Sequence, residues 1–250
     1  MTAQPTQPST SQPLPKGLGE GFHTTRWTLV SRAKADSPEG QRALKELCST
    51  YYEPVAAFLR CELRDPDAAR DLTHDFFAHM LAGGAIAHAE PGHGRFRSYL
   101  LGAVKHFLSH HREAVRRIKR GGGVGNISLN ETEARSVPDA GKLSPDAAFD
   151  RQWALTVVAR ALEALRREYT LGGRAELFEQ IKPWLTGDAA RGDQATLAAS
   201  CGLDANALKV AVHRSKRRFR QLVKTEVAGT LDDPDLVEAE MRALFAALGS

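Results

Sequence analysis

The chain has 250 residues, 42% of them hydrophobic and 26% charged, with a net charge of +4, enough length for one large or two small domains. Its cysteines, Cys48, Cys61 and Cys201, stand apart at apolar positions, which argues against a disulfide framework or a zinc motif and for a reducing compartment. No long apolar span and no secretory leader is recognisable, because the first residues are rich in Gln, Pro, Ser and Thr and uncharged until Lys16; a cytoplasmic protein is expected.

In chain order, residues 1–21 are of low complexity and read as disordered. Helical periodicity begins at Thr25. Leu44, Leu47, Cys48, Tyr52, Val55 and Leu59 then form an apolar stripe, with Pro54 marking a kink or a new start. Residues 66–81, PDAARDLTHDFFAHML, open with Pro at a first-turn position. Leu72, Phe76, Phe77, Met80 and Leu81 face inward there, leaving Asp67, Asp71, His74 and Asp75 on an acidic exposed face. Gly83 and Gly84 end that helix, and a loop rich in Ala, His and Gly runs to Gly94.

Residues 95–119 read as a long basic helix with Phe96, Leu100, Val104, Phe107 and Leu108 inward. From Arg95 to Arg120 there are eight Lys or Arg against the single acid Glu113. Such an excess suits contact with a polyanion. Residues 121–145, with a triple glycine, Pro138, Gly141 and Pro145, read as a linker. Helices resume at Pro145 and continue to about residue 228. The tail, DPDLVEAEMRALFAAL, is a short acidic amphipathic helix carrying Leu236, Met241, Leu244, Phe245 and Leu248. No alternating β pattern of useful length occurs. The expected fold is all-α, with helical modules over residues 22–120 and 146–228, a linker between them and a tail helix over 229–250.

The densest signal lies in residues 196–223, TLAASCGLDANALKVAVHRSKRRFRQLV. Leu197, Ala198 and Cys201 make a short stripe, Gly202 and Leu203 break it, and Asp204 can cap a second helix. Leu208, Val212, Phe219 and Leu222 then resume the stripe. Ala198 and Gly202 are small where crossing helices and a tight turn need room. The opposite face of the second helix carries Asn206, Lys209, His213, Arg214 and Arg217, flanked by Lys216, Arg218, Arg220 and Lys224. No acid lies between Asp204 and Glu226. This is a helix-turn-helix with a basic second helix, of the width that enters a DNA major groove, where Arg and Lys read guanine edges and neutralise phosphates.

Enzymatic and metal readings are weaker. His74 and His79 are five apart and lack the Glu of a zincin helix; His106 and His110 are four apart without a third ligand. GGGVGN lacks the Lys-Ser/Thr of a phosphate-binding loop, and no strand-turn-helix elbow supports a hydrolase triad. No catalytic residue, metal or cofactor is expected.

The order of DAARDLTHDFFAHML, GRFRSYLLGAVKHFLSHHREAVRRIKR, a linker and GLDANALKVAVHRSKRRFRQL resembles bacterial RNA polymerase sigma factors of the extracytoplasmic-function class, over about residues 22–228. FHTTRWTLV and the LFAAL ending resemble a subgroup of that class. The resemblance implies a polymerase-binding face at Asp71, His74 and Asp75, docking on the clamp of the core enzyme's β′ subunit. It implies that the loop 83–94 and the helix from Arg95 capture and melt the minus-ten promoter element. Phe96 (also readable as core) and Tyr99 would then offer stacking surfaces, and Arg95, Arg97, Lys105, Arg112, Arg116 and Arg117 would offer phosphate contacts. Asn206, Lys209, His213, Arg214, Lys216 and Arg217 would dock on the duplex minus-thirty-five element. Three departures stand out: His74 in place of the usual glutamine, Arg70-Asp71 in place of an acidic pair, and the longer LTGDAARGDQATLA before the helix-turn-helix.

Thr73 lies within the acidic face. A phosphate there would add about −1.5 to −2 charge and strengthen clamp binding, while an ordinary structural threonine is the competing reading. An anti-sigma protein or a Ser/Thr kinase are the regulators this reading admits. The acidic tail could also cover the recognition helix, although packing as an extra helix is the simpler account. The rival functions are a helix-turn-helix regulator that never touches polymerase, and a helical decoy that occupies the clamp without directing initiation.

Overall fold

The computed structural model describes residues 26–82, 86, 89, 95–121, 143–187, 198, 204–231 and 233–249, and among them every regular element is helical. The elements are α1 (Arg26–Ala33), α2 (Pro38–Leu63), α3 (Pro66–Leu81), α4 (Phe96–Gly121), α5 (Pro145–Leu171), α6 (Ala175–Thr186), α7 (Ala205–Ala228), a 3-10 turn (Pro234–Leu236) and α8 (Val237–Gly249). The expected N-terminal disorder, most of the linker and the first helix of the helix-turn-helix lie outside the described residues, except that Ala198 is helical and buried.

Side-chain caps set several starts. Ser37, Asp65, Ser144 and Asp204 each accept backbone N–H groups from the first turn of the helix they precede, satisfying donors the helix leaves unpaired. The close turn between α1 and α2 depends on Gly40, where a Cβ would stand 2.0 Å from the Ala35 carbonyl oxygen. α2 ends on Arg64 in the left-handed region, φ 57°. α2 runs unbroken through Pro54, so no new helix starts there. Proline in a helix interior costs about 3 kcal/mol, and here Pro54 is itself buried among Tyr51, Val55 and Phe58, whose packing offsets it.

The core joins segments that the sequence assigns to separate modules. Leu47, Tyr51, Phe58, Phe76, Phe96, Leu100 and Val104 from the first segment pack in one continuous cluster with Phe149, Trp153, Val157, Val223, Val227, Leu231, Met241 and Leu244. α5 lies along α2 and also packs against α6, α7 and α8. Among the described residues the two expected modules share this one cluster. On α5 the shared face is the stripe Phe149, Trp153, Ala154, Val157 and Ala161. A second, smaller cluster of Ile181, Ala198 and Leu208, with Tyr169, Leu177 and Val212 against it, holds α6 and α7 together.

The tail helix departs from its expected stripe. Of that stripe Met241 and Leu244 are buried and Leu236 and Leu248 half-buried, but Phe245 is exposed, while Val237 and the fully buried Glu240, both outside the stripe, face inward. Glu240 is met there by Arg95, just before α4, and by Arg97 in its first turn.

Candidate nucleic-acid interface

α7 carries the basic face that the sequence indicates. Asp204 fixes its start, accepting from the Asn206 and Ala207 N–H groups at 2.8 and 2.7 Å. Leu208, Ser215, Val223 and Val227 turn inward. Ser215 is anchored twice, donating to the Ala211 carbonyl at 2.7 Å and pairing with the Tyr169 hydroxyl at 2.5 Å. Inward anchoring by these residues leaves Asn206, Lys209, His213, Arg214, Lys216 and Arg217 exposed together. Among the described residues no ion pair engages any of the four cations in that set. Two of the neighbouring cations are used internally: Arg218 grips Glu168 with two nitrogens at 2.9 and 2.5 Å, and Lys224 meets Glu238 at 2.5 Å. Hydrogen bonds from Arg218 hold the Glu168 carboxyl below its ordinary range.

α4 divides differently from the expectation. Arg97, read from sequence as a phosphate contact, is only 8% exposed. Its Nε donates to Glu240 Oε1 at 2.5 Å, its Nη1 pairs with Asp150, and its guanidinium lies 4.5 Å from the Trp153 ring centroid. Burial alone would lower its pKa, but the hydrogen bond and charge of Glu240, with Asp150 beside them, more than offset that and raise it. Arg95 reaches the same carboxylate at 2.9 Å and is half-buried. Lys105 pairs with Asp146 at 2.7 Å and Arg112 with Glu62 at 2.8 Å, both with exposed side chains. Arg116 and Arg117 are exposed. Phe96 is core, 5.2 Å from the Tyr51 ring centroid.

Tyr99 is half-buried, and burial pushes its phenol up. It borders an open cleft of about 990 Å³ between α3 and α4, whose walls include Phe76, His79, His106 and Phe107. His106 and His110 approach at 3.1 Å between Nε2 atoms, but among the described residues no three His, Cys, Asp or Glu gather as a metal site would need.

On α3, Asp71 and Asp75 are exposed beside His74, whose Nε2 lies 2.8 Å from the Tyr52 hydroxyl. That hydrogen bond ties the ring to α2. Asp67 is engaged by Arg70 at 2.9 Å. Thr73 is fully buried and donates to the Ala69 carbonyl at 2.6 Å, which supports the ordinary structural reading of this threonine over the phosphorylation reading.

Glu240, Asp150, Trp153 and Arg160 are the residues that sequence reasoning missed. Arg160 on α5 reaches Thr50 Oγ1 at 2.6 Å, Glu46 at 3.1 Å and Glu226 at 3.2 Å, bridging α2 and α7. A signal did exist: Arg97 is in register with Leu100, Val104 and Leu108, and Glu240 with Val237 and Leu244. Opposite charges on two inward stripes are expected to meet.

Comparison with protein families, with curated proteins and with solved structures finds no match. No helix among the described residues is long and apolar enough to cross a membrane.

Proposed function

We propose that this chain is a sigma-type specificity factor, which binds core RNA polymerase and directs promoter-specific initiation through a helix-turn-helix. The observation that carries the reading is the contrast on α7: Arg218 and Lys224 are engaged by carboxylates, whereas Lys209, Arg214, Lys216 and Arg217 stand exposed without an acid among the described residues. Unneutralised cations on one face of a capped helix suit a phosphate backbone and guanine edges. The exposed Asp71 and Asp75 on α3 suit a cationic protein surface such as a polymerase clamp. The aromatic cleft at Tyr99 suits unstacked bases. In this reading residues 22–120 and 146–228 act as two functional modules joined through 121–145, and the polymerase performs the chemistry.

Transcription in vitro with purified core polymerase and a promoter library tests the reading. Arg214→Ala should weaken promoter choice, and Asp75→Ala should weaken holoenzyme formation. Absence of any polymerase-dependent transcript with the wild-type chain would refute it.

The alternative is a helix-turn-helix regulator that acts without polymerase. The core cluster shared by both halves favours it, since a compact chain suits a protein that binds a single duplex site. It requires tight duplex binding by the isolated chain, where the sigma reading requires weak binding alone and strong binding with core enzyme.

A further inference from the structure

We propose that Tyr169, near the end of α5, is a positioning residue for base reading: its hydroxyl fixes the rotation of α7 through Ser215, and so decides whether the exposed arginines of that helix discriminate between sequences. The inference rests on DNA binding by α7, which both readings of the function share.

The inward stripe of α7 is apolar at Leu208 and Val212 and again at Phe219, Val223 and Val227, and Ser215 interrupts it. Ser215 is only 2% exposed. Apolar side chains hold two helices together without fixing one register, whereas a polar residue set into such a stripe specifies register at a cost in stability. Ser215 has the bond this requires. Its hydroxyl donates to the Ala211 carbonyl at 2.7 Å and lies 2.5 Å from the Tyr169 hydroxyl, which therefore donates to it.

Tyr169 is itself held firmly. The Phe178 ring of α6 lies 5.7 Å away between centroids, the Arg174 guanidinium lies 5.0 Å from the tyrosine ring centroid, and the Arg174 N–H donates to the Tyr169 carbonyl at 2.8 Å. Its ring also packs against the cluster of Ile181, Ala198 and Leu208. One side chain thus ties α5, α6, α7 and Ala198 together. The Glu168–Arg218 pair, about one turn further along α7, has both side chains partly open to water and contributes little. Arg214 and Lys216 flank Ser215 in the chain, and Arg217 follows. A side chain reaching about 6 Å from a helix axis moves about 1 Å when the helix turns by about 10°. A two-bond contact to a base edge tolerates about 0.5 Å, whereas attraction between cations and phosphates tolerates far more. A slip of α7 therefore costs discrimination and spares affinity.

Two full-length variants test the role. Tyr169→Phe removes the hydroxyl and keeps the ring, and Ser215 still donates to Ala211, so no buried donor is orphaned. Ser215→Ala removes the same bond from the other side, leaving the half-buried Tyr169 hydroxyl within reach of water. Both variants and their double mutant are titrated with a duplex selected from a library by the wild-type chain and with a scrambled duplex. Titrations run with and without core polymerase at several salt concentrations, with folding checked by circular dichroism. The expected result is a selected-to-scrambled affinity ratio lowered about fivefold or more in each variant, the lower end of what one bidentate base contact is worth. The double mutant should lose no more, and scrambled-duplex affinity and salt slope should stay as in wild type. A purely packing role for Tyr169 would lower the melting temperature and leave the ratio where it was. Folded variants that keep the wild-type ratio would overturn the positioning role and leave DNA binding by α7 intact. If one variant fails to fold, the other decides alone. A wild-type chain that does not distinguish the two duplexes, with or without polymerase, would remove DNA recognition and the positioning role with it.

Discussion

Arg97 and Glu240, 143 residues apart, meet in the core with Nε 2.5 Å from Oε1, Arg97 almost wholly and Glu240 wholly removed from solvent. A charge pair this deep is costly to desolvate, so its geometry and its second partner, Asp150, matter more than the Coulomb attraction. Truncating Glu240 to Ala leaves a buried guanidinium half satisfied and should cost about 3–5 kcal/mol in urea unfolding. The double change Arg97→Met with Glu240→Leu should cost much less, because no deeply buried charge is then left unpaired and the partly exposed Arg95 and Asp150 keep access to water. Equal losses for the two proteins would contradict this account.

The shared core predicts a single cooperative unfolding transition rather than two. Trp153→Ala should lower stability by about 3–5 kcal/mol, shifting circular dichroism and calorimetric midpoints together. Trp153→Phe should be mild, since the buried indole Nε1 has no hydrogen-bond partner among the described residues. Two separate transitions in the wild-type chain would show independent modules.

On α7, Lys216→Ala should weaken duplex binding across all sequences and reduce the salt slope by about 1. Arg214→Ala should cost about 1–3 kcal/mol and relax base preference if it makes a bidentate guanine contact. Arg218→Ala should leave DNA affinity nearly unchanged, because that side chain is held by Glu168. Titrating labelled duplex at several salt concentrations separates the three.

Acid sensitivity should come partly from the carboxylates of α5. Hydrogen bonds from Arg166, and then Arg167, bring the exposed Glu163 from its ordinary 4.5 to about 2, and Arg218 lowers Glu168. A depressed folded pKa stabilises the folded chain above the ordinary value, and that stabilisation is lost as pH falls through the folded one. Replacing both residues by Gln should therefore flatten the fall of the urea midpoint between pH 4.5 and about 2. Exposure keeps the effect small. An unchanged acid limb would count against these pairs.

Thr73 should resist phosphorylation in the native chain. Thr73→Glu would place a carboxylate in the core between α3 and its neighbours and should depress the melting temperature without raising polymerase affinity. Thr73→Val should cost about 1 kcal/mol, the worth of one hydrogen bond to the Ala69 carbonyl. Phosphate incorporation into the folded protein at this residue would refute the assignment.

Much of the local structure was legible in the linear chain. Asp204 ahead of a capped apolar stripe located α7, Pro66 after Asp65 located α3, and periodicity placed Leu100, Val104 and Leu108 inside α4. The exposed set from Asn206 to Arg217 came from the same period. Arg97 went wrong for an instructive reason. Composition ranks an arginine in a basic helix as solvent-facing, and only its register with Leu100 argued otherwise. Phe245 failed in the reverse sense, an aromatic at the stripe's edge that stays exposed while Glu240 is buried.

Helix positions, caps and inward faces thus came from short-range patterns, since each depends on residues within about two turns. Which faces meet was decided only in three dimensions. Whether α5 covers the first half or only its own neighbours depends on the summed apolar area of both, and whether Arg97 faces water depends on a carboxylate at the far end of the chain. Burial and ion pairing are properties of partners brought together by folding, so no local window of sequence contains them.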